Sequence, residues 1–92
     1  MDYDRFIPQV STYVARAKTH PYVVRSAADG ISRAAAHDVQ RGVLSLRQAA
    51  RVYMALNAVY KALGERTAAF NGFVAALQRR RARLRKPRPV RW

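Results

Sequence analysis

Between Ser45 and Gly64 the chain carries every signal of one helix: a start, an unbroken apolar stripe and a stop. Ser45-Leu46-Arg47-Gln48 fits a capping box, in which the Ser45 hydroxyl and the Gln48 side chain each satisfy a free backbone N–H. Ala49, Val52, Tyr53, Leu56, Val59, Tyr60 and Leu63 then recur at helical spacing, and Gly64 supplies the C-terminal stop. A stripe of that length needs other helices to cover it. Pro8 suits a first helical turn and precedes Val10, Tyr13, Val14 and Ala17, so a helix is expected from Pro8 to Lys18. A second runs from Pro21 toward Arg41 with Val24, Ala27, Ala28, Ile31, Ala35 and Val39 inward, stopped by Gly42. Gly30 interrupts it at about 1 kcal/mol against alanine, which a closely crossing neighbour would explain. A last helix begins near Thr67 and presents Phe70, Phe73, Val74 and Leu77. Alternation of the strand kind is nowhere sustained. The expected fold class is all-α: a compact bundle of about four helices with a basic C-terminal extension. Ninety-two residues make one domain with one core. Residues 1–78 form the helical bundle and 79–92 the Arg-rich tail.

Charge then narrows the partner. Eighteen lysines and arginines stand against five carboxylates, for a net charge of +13. Self-repulsion at that density opposes compaction unless a polyanion neutralises it. Fifteen of the cations are arginine, whose planar five-donor fork matches phosphate and stacks on bases, where lysine is a point charge. A GC-rich genome would raise arginine and alanine together, but it would not make acids scarce. Nucleic acid is the expected partner, RNA ahead of DNA, although no base-reading signature is present.

Eight cations fall in the last fourteen residues: Arg79, Arg80, Arg81, Arg83, Arg85, Lys86, Arg88 and Arg91. At 100° per residue Arg81 returns to the stripe of Phe70, Phe73 and Leu77, so the core face ends near Leu77. The helix is therefore expected to project past the body, cationic nearly all round. Pro87 and Pro89 then favour an extended course suited to threading between phosphates, with Trp92 at the tip able to stack on a base. A second basic surface is expected on the Ser45–Gly64 helix, where Arg47, Arg51 and Lys61 lie opposite the core stripe with Met54 and Ala58 between them. The preceding helix adds Arg33 and, near its ends, Arg25 and Arg41, while Lys18 and His20 sit before it.

Catalysis has little to draw on. Asp2, Asp4, Asp29, Asp38 and Glu65 are the only carboxylates, and His37 and Asp38, as sequence neighbours, do not face each other on a helix. No nucleophile–base spacing, Gly-rich phosphate loop or metal-ligand set is present, and the absence of cysteine removes thiolate chemistry and Cys-type zinc sites. No enzyme activity, cofactor, metal or small-molecule substrate is expected. The opening Met1-Asp2-Tyr3-Asp4 places acid where a signal peptide carries base, and no apolar run approaches membrane-spanning length. A cytoplasmic location is expected. Basic amphipathic helices also bind lipid surfaces, but here the apolar residues are needed for the core, so no membrane partner is expected.

The tail RRRARLRKPRPVRW and the overall charge together resemble the small basic proteins of the ribosome. That resemblance implies a non-enzymatic, ribosome-associated structural protein, lineage-specific, with archaea among its sources. Its body would dock on ribosomal RNA beside neighbouring proteins, while tail arginines bridge phosphates and Trp92 anchors the tip. The alternative is a DNA-packaging protein, a viral nucleoprotein or chromatin component, which would need apolar surface left over for self-assembly. An inhibitor of an acidic enzyme surface is a further class. Leu44 to Tyr53 also resembles the first helix of a helix-turn-helix DNA reader, with Ala58, Val59, Lys61 and Leu63 in the recognition helix. Met54-Ala55 departs from that motif, which usually turns on glycine.

Overall fold

The computed structural model describes residues 3–85. Helix α1 (Tyr3–Phe6) leads through a 3-10 turn (Ile7–Gln9) into α2 (Val10–Arg16). Three long helices follow: α3 (Pro21–Gln40), α4 (Leu46–Leu63) and α5 (Ala68–Arg85). Counting the N-terminal run as one, this is the expected four-helix, all-α bundle. Helical structure starts five residues earlier than Pro8 implied, because Tyr3 and Phe6 have anchors. The Tyr3 hydroxyl donates to Asp38 at 2.7 Å, and Phe6 is buried, its ring centroid 5.4 Å from that of Tyr13.

Both ends of α4 follow their sequence signals. Ser45 Oγ accepts from the Gln48 N–H at 3.1 Å while Gln48 Oε1 accepts from the Ser45 N–H at 3.2 Å. Gly64 closes the helix at φ +77°, a left-handed conformation that an L side chain rarely adopts, and its N–H reaches the Tyr60 carbonyl at 3.0 Å. The chain between runs through Met54 and Ala55 without a break, so the turn that a helix-turn-helix reading needs there is absent.

Helix directions follow from two sets of contacts. Arg25 near the start of α3 pairs with Glu65 just past the end of α4, and Ser32 lies 3.1 Å from the Tyr60 hydroxyl. With the short connection joining the end of α3 to the start of α4, the two helices are antiparallel. Thr67, capping α5, donates to Asp29 at 2.6 Å, whereas Arg80 near the other end of α5 donates to the Val39 carbonyl. Helices α3 and α5 therefore run parallel, and α5 packs chiefly on α3. The core between them holds Val24, Ile31, Val39, Val52, Leu56, Tyr60, Phe70 and Phe73. Phe70 sits at its centre, its ring centroid 4.7 Å from that of Tyr60 and 5.7 Å from that of Tyr53.

One polar network crosses this core. Asp29 accepts from Tyr60 at 2.5 Å as well as from Thr67, and Ser32 donates to its own helix at Ala28. Burial, and then the bond to Asp29, push the Tyr60 phenol up to about 12, so it remains a protonated donor at neutral pH. Unlike a buried polar group left without partners, this set is satisfied and ties the start of α5 to the other two long helices.

Gly30 corrects an expectation. A Cβ built there would meet nothing within 4 Å, so no helix crosses close to it. The residue simply weakens α3. Gly30→Ala is therefore expected to stabilise the domain by about 0.5–1 kcal/mol, read as a higher melting temperature in circular dichroism.

Candidate nucleic-acid interface

Because α3 and α5 are parallel and α4 is antiparallel to both, one end of the bundle collects the C-terminus of α3, the N-terminus of α4 and the C-terminus of α5. Arg41 follows α3, Arg47 and Arg51 lie in the first turns of α4, and Arg79, Arg80, Arg81 and Arg83 belong to the last turns of α5. The fold thus brings cations from three parts of the sequence to the end from which the chain leaves as the tail.

Arg80 organises this end. It is half-buried, and its guanidinium donates to the backbone carbonyls of Leu44 and Val39. The Val39 carbonyl also accepts from the Gly42 N–H at 3.2 Å, so Arg80 adds a charged donor to the turn that ends α3 and to the connection that follows it. The sequence grouped Arg80 with a phosphate-binding tail beginning at Arg79; here it holds the last turns of α5 against the α3–α4 connection. Helix α5 itself passes residues 78 and 79 without interruption. The packed face ends as Leu77 implied: Leu77 is buried, and Arg81, Ala82 and Arg83 are exposed.

A cleft opens between α5 and the end of α3, lined by Val39, Gln40, Arg41, Gly42, Ala76, Arg79, Arg80 and Arg83. Among these described residues none is acidic. Arg79 and Arg83, one turn apart on α5, both line it, as does Arg41 across the gap. Arg41 lies 3.5 Å from the His37 ring and Arg79 bends back to the Ala75 carbonyl at 3.4 Å, and both side chains are exposed. On the other side of Leu44, Arg51 lines a smaller crevice with Tyr3, Asp4, Ile7, Gln48 and Val52.

The α4 row stands as the spacing implied. Arg47, Arg51, Met54 and Lys61 are exposed and Ala58 is half-buried. Lys61 nevertheless sits ten residues beyond Arg51, about 15 Å along the helix, and belongs to the opposite end of the bundle. Arg85 lies in the last turn of α5; the expectations for Lys86, Pro87, Arg88, Pro89, Arg91 and Trp92 fall outside the described residues. Arg41 joins the site although its surroundings in the sequence mark it no more than the other helix-end cations. Its signal was its place beside the Gly42 stop, but only the packing of α5 gives it neighbours.

The acids are mostly committed to the fold. Asp29 and Asp38 receive tyrosine hydroxyls, and Glu65 pairs with Arg25 at 2.8 Å, far from the basic end. His20 is exposed and stands at the N-cap of α3, where its carbonyl accepts from the Val24 N–H but its side chain makes no capping bond; its ring lies 3.0 Å from the Thr19 hydroxyl. Among the described residues no group of three His, Asp or Glu is placed to hold a metal, and no helix is long and apolar enough to cross a membrane. Comparisons with family models, with curated proteins and with solved structures each gave no match.

Proposed function

We propose that the protein binds nucleic acid through its phosphate backbone, as a non-enzymatic structural component of a ribonucleoprotein particle, the ribosome first among them. The observation that carries this reading is the convergence of Arg41, Arg47, Arg51, Arg79, Arg81 and Arg83 on the end of the bundle where the tail begins. Arginine rather than lysine dominates it, which suits bidentate contact with phosphate. The body would dock by this end on ribosomal RNA, with the rest of the tail following a groove between phosphates. A DNA coat would need a large apolar face for its neighbours. The exposed large apolar residues described here, Tyr22, Val23, Val43 and Met54, are instead divided among the start of α3, the α3–α4 connection and the middle of α4.

Six to eight phosphate contacts would make log affinity fall with log salt at a slope of roughly −4 to −7. Fluorescence anisotropy with a labelled RNA and a DNA of the same sequence, across a salt series, measures it. A slope shallower than about −2 for both would overturn the reading. Co-sedimentation of the protein with ribosomal subunits tests the particle.

A further inference from the structure

The cleft between α5 and the end of α3 differs from the rest of the basic end in being shaped. Its volume is about 610 Å³, larger than one phosphate needs and within the roughly 300–1,000 Å³ of ligand pockets. Arg41 stands on one wall, and Arg79 and Arg83 stand on the other. Between them lie the small residues Gly42 and Ala76, with Val39. Nothing occupies the space within 4 Å of where a Gly42 Cβ would stand. We propose that this cleft seats one nucleotide unit of the bound strand, its phosphodiester held by Arg41, Arg79 and Arg83 and its sugar against the Gly42–Ala76 floor. The inference rests on the nucleic-acid reading and adds a defined site to it.

Two further features support the assignment. Arg79 and Arg83 are like charges one helical turn apart, an arrangement that disfavours the helix until an anion lies between them. Arg80 also lines the cleft, but its guanidinium is engaged by the Leu44 and Val39 carbonyls. It therefore acts as a positioning residue, fixing the wall that carries Arg79 and Arg83. Arg41, Arg79 and Arg83 line the cleft from its two sides. The contacts of Arg41 with His37 and of Arg79 with the Ala75 carbonyl are local ones within or beside their own helices, open to exchange for a phosphate.

The test keeps the charge constant. Replacing Arg41, Arg79 and Arg83 together by lysine leaves the net charge unchanged but removes the planar forks. In anisotropy with a single-stranded RNA octamer and its DNA counterpart, the triple variant is expected to bind at least tenfold more weakly at an unchanged salt slope. Arg16→Lys, at the exposed end of α2, should bind as the parent does. In the parent protein, the Nε–H NMR signals of Arg41, Arg79 and Arg83 should shift together on adding the octamer. Equal affinity of the triple variant, or binding with those signals unmoved, overturns the cleft and leaves the general reading intact. Failure of both octamers to bind removes the cleft and the nucleic-acid reading together. Unequal loss with RNA and DNA would identify which sugar the floor accepts, whereas shifts of equal size with inorganic pyrophosphate alone would reduce the site to a phosphate trap and overturn the nucleotide assignment.

Discussion

A chain ending after Gln78 is expected to melt cooperatively as a helical domain yet to bind nucleic acid about a hundredfold or more weakly at physiological salt. The buried face of α5 is complete by Leu77, and Phe70, Phe73 and Ala76 remain in place. The shortened chain keeps ten cations against five acids and loses eight cations at one stroke. Each phosphate contact removed takes its share of counterion release with it, so the salt slope should flatten as affinity falls. Some stability goes as well, because the Arg80 bonds to Leu44 and Val39 are lost. Hydrogen bonds to a charged group contribute about 1.5–3 kcal/mol, and partial exposure of Arg80 lowers that to roughly 1–2. A chain ending after Arg80 should recover that difference in thermal melts while remaining a weak binder. Retained affinity in the Gln78 truncation would place the binding surface elsewhere on the body.

The second large effect concerns the core. Leu56 is fully buried in the middle of α4, and Leu56→Ala should destabilise by about 2–5 kcal/mol in urea denaturation. For a domain of this size that range is a large share of the folding free energy, so the variant's urea midpoint should fall well below the parent's. Met54→Gly is the informative companion. Met54 is 70% exposed on the opposite face, so its replacement removes no core contact and reports the helix alone. A loss near 1 kcal/mol is expected for glycine inside a helix. Unchanged or increased stability would mean a left-handed turn at that position, contrary to the continuous α4.

Helix positions and the inward stripes were legible in the sequence because they depend on local chemistry: a capping box, two glycine stops and the 3.6-residue period. The site was legible only in part. Arg79, Arg81 and Arg83 are exposed beyond the last core residue, as the angle from Phe70 to Leu77 required. Arg80 differs from them only in a rotation of 100° about the helix, and the sequence does not show which carbonyls that rotation meets. Arg41 and Arg79 are separated by 38 residues, so their proximity depends on α5 being parallel to α3, which no local signal encodes. The same holds for Asp29 and Asp38. Each has nearby cations in the sequence, yet its partner is a tyrosine hydroxyl more than 30 residues away. Gly30 misled for the opposite reason, since a glycine in a helix invites a tertiary explanation that its surroundings do not supply.

Helix polarity gives the parallel arrangement of α3 and α5 a further consequence. Both direct their carbonyl ends, with their partial negative charge, toward the basic end. The arginines are therefore at home there, which lets a small domain tolerate so many like charges in one place. The same polarity withholds the backbone from an incoming anion. Of the three long helices only α4 turns its amide end this way, and the Ser45–Gln48 box already engages N–H groups at that terminus. Grip on a phosphate then falls chiefly to side chains. An interface of that kind can be retuned one arginine at a time, with no change to the backbone that presents it.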